Sequence, residues 1–300
     1  MPILGLAGPW LRPVRVGQQG LAVFVFHDVT DQPSLFSCHA RVHVSRELFL
    51  RQLSWIQERF TIIHPRQIED GGVPPKSALL TFDDGWFSFR DVVLPILEAA
   101  GLPATVFLNM DVVEGAPKAD ALAVWLDGEK SSARSAWESL GPVSYRHALQ
   151  VLEDAGEFSA FQDFQGKLLD EADIAALDGH PLIAFGNHLS NHWYGPSLTG
   201  LEFEEALMTN QHRLQPYQSS LLWLAHPFGV GTPPHDECAD SHGFTRVFTG
   251  TGLLNPEPNE KVLHRVDLNG AIRNRPLFRW RLSARTALAS LQGLHRRELE

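Results

Sequence analysis

Residues 79–85, Leu-Leu-Thr-Phe-Asp-Asp-Gly, constrain the fold of this chain more than any other stretch. A short apolar run of this kind forms a buried strand, and here it stops at two adjacent carboxylates, Asp83 and Asp84. Neighbouring aspartates repel, so a fold that places both at one strand end must supply a cation or a hydrogen-bond net. Gly85 then lets the backbone turn sharply and a ligand approach closely. Alone, the stretch reads equally well as an acidic turn capping the following helix. The rest of the chain decides between the two.

Further apolar, β-rich runs at 21–26, 104–108, 182–186, 221–225, 245–249 and 262–266 bring the expected strands to seven, with a short extended piece at 61–64. Helical signals lie between them. Ser45 caps a helix with apolar positions up to Phe60, and another covers 88–100 with Gly101 just past its end. Thr199-Gly200-Leu201-Glu202 is a capping box opening a helix to about 215, and a short helix is expected near 235–242. Strands alternating with helices predict parallel βα units. Residues 112–178 break the rhythm: rich in Ala, Glu, Ser and Leu, with helical periodicity near 118–127, 131–140, 144–155 and 170–178, they read as a helical insertion. Residues 1–20 form an irregular lead-in, 21–270 the main body and 271–300 a basic amphipathic helix.

Polar residues gather at the carboxyl ends of the strands: His27-Asp28, Asp83-Asp84, Asn109, His188 and His226. In a closed parallel barrel those ends form one rim, where ligands bind. A purely structural role would scatter such residues over both ends. The chain's formal net charge of -10 argues against general nucleic-acid binding. Its two cysteines, Cys38 and Cys238, have no metal-type spacing and suit a reducing compartment. With no signal-peptide pattern and no membrane-span window, the expected location is the cytoplasm.

His188 and His192 are four residues apart, a spacing that puts both rings on one side of a helical turn. Imidazole suits zinc and similar divalent ions, and a carboxylate completes a three-ligand set with an open position. One aspartate of the 83–84 pair is then the ligand and the other the base.

T-F-D-D-G at 81–85, G-N-H-L-S-N-H at 186–192 and A-H-P-F-G at 225–229 together resemble the successive motifs of the polysaccharide deacetylase (NodB-like) family of carbohydrate esterases. The resemblance spans about residues 20–268, outside the insertion. It implies an α/β fold, a distorted seven-stranded (β/α) barrel, and hydrolysis of acetyl groups from sugars with a divalent metal, usually zinc. It further implies Asp84, His188 and His192 as metal ligands and Asp83 as the base. Three departures stand out: Leu189 where relatives carry Ser or Thr, Ala225 where many carry an arginine aligned on the base, and a long spacing from Asp84 to His188 that the insertion explains.

Trp86, Trp193, Tyr194 and Phe228 flank the motifs and are candidates to stack on sugar faces, with ordinary rim packing as the alternative. The Pro227-Phe228-Gly229 turn is the candidate source of a backbone N–H for the oxyanion. The leaving amine needs a proton donor. The family often uses a histidine in a late L-x-H motif, which points to His264, although the local sequence also resembles members reading L-P-R-I there. Alternation lets only one of His264 and Arg265 face the site. With Ala225 lacking the arginine, Arg265 is expected inward against Asp83, leaving His27 and His226 as candidate acids.

The implied substrate is an acetylated sugar, as a glycan precursor or glycolipid. The alternatives are an amidohydrolase acting on a cyclic ureide or another small amide, as in allantoinase-like relatives, and a non-catalytic carbohydrate-binding relative. The tail helix is expected to pack on the barrel; peripheral contact with the inner membrane is the alternative.

Overall fold

The computed structural model describes residues 20–127, 140–252 and 254–268. All but the last residue of the expected lead-in, the expected helix over 131–140 apart from residue 140, and the tail helix over 271–300 lie outside the described residues.

The described residues contain the strands β1 (Leu21–Phe26), β2 (Asp28–Val29), β3 (His43–Val44), β4 (Thr61–Ile62), β5 (Ser77–Asp83), β6 (Ala104–Leu108), β7 (Ile183–Asn187), β8 (Ser220–Ala225), β9 (Arg246–Thr249) and β10 (Val262–Asp267). Seven of them close a parallel barrel in the order β1-β10-β9-β8-β7-β6-β5, with β5 pairing back to β1. This is the expected seven-stranded (β/α) barrel. The 61–64 piece proves to be β4, which lies beside the start of β5 through Thr61 and Ser77. β2 pairs only with β3, outside the barrel.

Period-two alternation explains both faces of the wall. Leu21, Val23, Leu79, Phe107, Trp223, Ala225, Phe248 and Leu263 fill the barrel interior. Their neighbours Phe24, Phe26, Leu80, Phe82, Val106 and Phe185 pack outward with Phe49, Trp55 and Leu97 of the surrounding helices. Each large side chain buried this way contributes about 1.5–3 kcal/mol. The caps fall where the sequence puts them. Ser45 Oγ accepts from Leu48 N at 3.2 Å ahead of Arg46–Gln57, and Thr199 and Glu202 cap Gly200–Leu214 reciprocally. Gly101, at φ 61°, ends Leu94–Ala100.

The insertion contributes Ala119–Asp127, Pro142–Asp154, Phe158–Gln165 and Glu171–Leu177. Leu122, Val124, Tyr145, Leu152 and Phe161 from these helices form one apolar cluster with Leu189, Trp193 and Phe203. The insertion is therefore seated on the loop after β7, at the carboxyl rim of the barrel.

Candidate active site

Asp83 closes β5 in the alternation phase of Leu79, so its side chain continues the barrel interior to the rim. Asp84 and Gly85 follow at φ 73° and φ 69°, which swings the second carboxylate over the same opening. Aspartate tolerates the left-handed region better than most side chains. At Gly85 any Cβ would combine that φ with a 3.1 Å approach to Leu108 Cδ2. Asp84 Oδ2 accepts from Trp86 Nε1 at 3.2 Å, while Oδ1 is buried with no hydrogen-bond partner.

His188 follows β7 in the phase of Ala184, and so also points inward. The chain does not continue as a helical turn, as the spacing of the two histidines predicts. It turns at Leu189, with φ 61°, and runs irregularly to Tyr194. Side-chain amides replace helical hydrogen bonds here. Leu189 N donates to Asn187 Oδ1 at 2.8 Å, Asn109 Nδ2 donates to the Leu189 carbonyl at 3.0 Å, and His192 N donates to Asn191 Oδ1 at 2.7 Å. Leu189 itself is fully buried against the insertion, which accounts for an apolar residue at that position.

The loop brings three ligand-type groups together. His188 Nε2 lies 3.5 Å and His192 Nε2 3.3 Å from Asp84 Oδ1. Asp84, His188 and His192 are all buried, and their ligand atoms lie within 4.8 Å of one another. His188 Nε2, like Asp84 Oδ1, has no hydrogen-bond partner. Buried polar atoms left bare are costly, and bare acceptors converging on one point fit a cation. The histidines are prepared from behind. His188 Nδ1 is 2.7 Å from the Ala225 carbonyl, and His192 Nδ1 makes a close but bent contact, 3.0 Å, with Asp120 Oδ2. A proton on each Nδ1 leaves the Nε2 lone pairs for a metal. Burial and the neighbouring Lys118 ammonium hold the His192 pKa below the ordinary histidine value, which keeps the ring neutral as a ligand must be.

Lys118 and Asp120 belong to the insertion, and sequence reasoning missed both. Lys118 is only 1% exposed; its Nζ lies 2.8 Å from Asp120 Oδ2 and 3.4 Å from Asp84 Oδ2. Burial alone would raise the Asp84 pKa, but Lys118, then His192, hold it well below the usual carboxylate range. Asn191 pins this segment to the histidine loop, donating to the Pro117 carbonyl at 3.0 Å and accepting from Ala119 N at 2.8 Å. The available signal was a Lys-Ala-Asp step at the head of an otherwise apolar helix.

Arg265 does face inward, in the phase of Leu263, and Nη1 donates to Asp83 Oδ1 at 2.6 Å. Burial pushes the Asp83 pKa up, but Arg265, then His188 and His27, more than offset it and leave the carboxyl below its ordinary value. His27 Nε2 is 3.9 Å from Asp83 Oδ2, on the open side of the pair. Two acid candidates are not brought to the site. His264 points away, against Thr249 Oγ1 at 3.2 Å. Alternation after Ala225 turns His226 out of the barrel, where it is buried with Nε2 2.8 Å from Asp236 Oδ1.

His27, Asp83, Asp84, His192 and Arg265 line a cavity of about 410 Å³, with Tyr194 and Phe228 on its wall. The Phe228 ring lies 4.4 Å from that of His192 and 5.7 Å from that of Tyr194. Trp86 and Trp193 are instead buried and present no face to a sugar. Trp86 holds Asp84 as above, and Trp193 packs edge-on against Tyr145 at 5.2 Å. Gly229 lines the cavity, but its N–H donates to the His226 carbonyl at 2.9 Å and is not aimed at an oxyanion.

Comparison with known proteins bears on this geometry. No curated protein sequence matches the chain. In fold it is similar to IcaB from Ammonifex degensii, with a TM-score of 0.59 and 21% identity over 84% of this chain and 93% of that one. It is also similar to a de-N-acetylase from Aggregatibacter actinomycetemcomitans, with a TM-score of 0.59 and 14% identity over 86% and 99% of the two chains. The deacetylase domain of BpsB from Bordetella bronchiseptica gives a TM-score of 0.52 and 18% identity over 83% and 96%. Residues 70–247, which carry both aspartates, both histidines and the whole insertion, match the sequence model for polysaccharide deacetylase. The chain belongs to the polysaccharide deacetylase family of carbohydrate-deacetylating enzymes.

Proposed function

We propose that this protein is a metal-dependent hydrolase that removes the acetyl group from an N-acetylated sugar, a glycan precursor or glycolipid head group. The observation that carries the reading is the convergence of bare, buried Asp84 Oδ1 and His188 Nε2 with His192 Nε2, next to a carboxylate held by Arg265. Asp84, His188 and His192 would hold the cation, and their N/O donor set suits zinc. A divalent ion at such a site acts as a Lewis acid and makes a water nucleophilic near neutral pH.

The chain's own residues supply the rest. Asp83 is ionised and fixed through Oδ1 by Arg265, so Oδ2 is the oxygen that takes the water proton. His27 stands beside Oδ2 and is the proton donor for the leaving nitrogen, since an amine does not depart as an anion. Tyr194 and Phe228 give the sugar an aromatic wall, and a cavity of about 410 Å³ has room for the reacting sugar ring.

The test is acetate release from N-acetylated sugars, O-acetylated sugars, sugar nucleotides and cyclic ureides, with zinc and with a chelator. Chelator-sensitive release from N-acetylated sugars is expected. Turnover confined to ureides, or no turnover with any of them, contradicts the proposal.

A further inference from the structure

We propose that the insertion tunes the metal site through two positioning residues of opposite sign: Asp120 holds His192 as a ligand, and Lys118 competes with the metal for Asp84. The inference rests on the metal-dependent reading above and assigns a task to a segment outside the ligand triad.

Both ligand histidines need an acceptor behind Nδ1, because that contact sets the tautomer and aims Nε2. For His188 the barrel provides one, the Ala225 carbonyl. For His192 the group that stands there among the described residues is Asp120 Oδ2, 3.0 Å from Nδ1 in a bent approach. A carboxylate behind an imidazole strengthens it as a ligand more than a neutral carbonyl does. Asp120 is in turn placed by the first turn of its helix, with Oδ1 accepting from Ala121 N at 3.0 Å.

Lys118 is the counterpart. Three buried carboxylates, Asp83, Asp84 and Asp120, face two buried cations, Lys118 and Arg265. Arg265 is committed to Asp83, so among the described residues Lys118 is the lysine or arginine that serves the other two, at 3.4 Å from Asp84 and 2.8 Å from Asp120. Its ammonium is buried against the carboxylates, 5.4 Å from the centre of the Phe36 ring. Without a metal this ammonium offsets the Asp84–Asp120 repulsion. With a metal on Asp84 Oδ1, the same ammonium on Oδ2 is a like charge nearby and lowers the affinity. Asn191 fixes the distance by tying Pro117 and Ala119 to the histidine loop.

The experiment measures zinc affinity by competition with a chelating dye for wild type, Asp120→Asn and Lys118→Met. It adds the visible spectrum of each Co²⁺-substituted protein and melting with and without zinc. Asp120→Asn is expected to bind zinc about 10–100-fold more weakly and to shift the Co²⁺ bands, because the acceptor behind His192 loses its charge. Lys118→Met is expected to bind zinc about tenfold or more tightly. Its metal-free form should melt lower than wild type, and zinc should raise its melting temperature by more. Opposite signs at two residues in contact do not arise from general loosening of the fold. Two variants that weaken binding alike, an Asp120→Asn protein with unchanged affinity and spectrum, or a Lys118→Met protein that stays unfolded in zinc would each overturn the proposal. A wild-type chain that binds no metal would instead overturn the proposed function beneath it.

Discussion

Replacing Arg265 with Met isolates the pair that holds the base. Arg265 and Asp83 are both almost fully buried, and Nη1 donates to Oδ1 at 2.6 Å. Removing one member of a buried pair leaves an uncompensated charge and typically costs about 3–5 kcal/mol. At roughly 2–3 °C per kcal/mol for a chain of this size, the melting temperature near pH 7 should fall by roughly 6–15 °C. The sign of the pH dependence separates this cause from lost packing. In wild type the folded Asp83 pKa is depressed, so its contribution to stability is present above the unfolded value of about 3.9 and lost as pH falls through the folded value. In Arg265→Met, burial becomes dominant and the folded pKa rises, so the ionised carboxyl costs stability above the unfolded value. The gap between the two proteins should therefore be smallest below the wild-type folded value and widen as pH rises above it. The acid limb of kcat/KM should move to higher pH in parallel. Thermal melts from pH 3.5 to 8 with matched rate profiles test this. A gap independent of pH, with an unmoved acid limb, would refute the reasoning.

Other residues give further expectations. Asp83→Asn should keep the metal and lose about 10²-fold or more in turnover, the scale of a general base, as metal content and kcat together would show. His27→Ala should lose the alkaline limb of the pH–rate profile, whereas His226→Ala and His264→Ala should retain it, because neither ring reaches the cavity. Asn191→Ala should cost about 2–3 kcal/mol in a denaturant melt, since it strands the Ala119 N–H and the His192 N–H in a buried loop, while the Pro117 carbonyl keeps the Tyr145 hydroxyl as a donor.

The barrel, and the gathering of Asp84, His188 and His192 on one rim, were legible from local signals. Strand alternation alone places Asp83, His188 and Arg265 inward, and His264 follows outward from Arg265. The same rule, carried one residue past Ala225, would also have sent His226 outward; its place at a strand end obscured that. The His188–His192 spacing was read as helical, but four asparagine-type contacts can shape an irregular loop with the same outcome, and no periodicity marks such a loop. Trp86 and Trp193 illustrate a different limit. An aromatic beside a motif faces either the ligand or the ligand's support, and only packing decides between them. Lys118 and Asp120 were legible only as a polar step heading an apolar helix; their site partners, Asp84 and His192, are 34 and 72 residues away, across an insertion whose docking no local pattern encodes. 

The measurement closest to the central claim is the metal content of the purified protein and of the His188→Ala, His192→Ala double variant. About one divalent ion per chain is expected in wild type and almost none in the double variant, because one carboxylate cannot hold the ion alone. A double variant that keeps a full equivalent of metal would contradict the account.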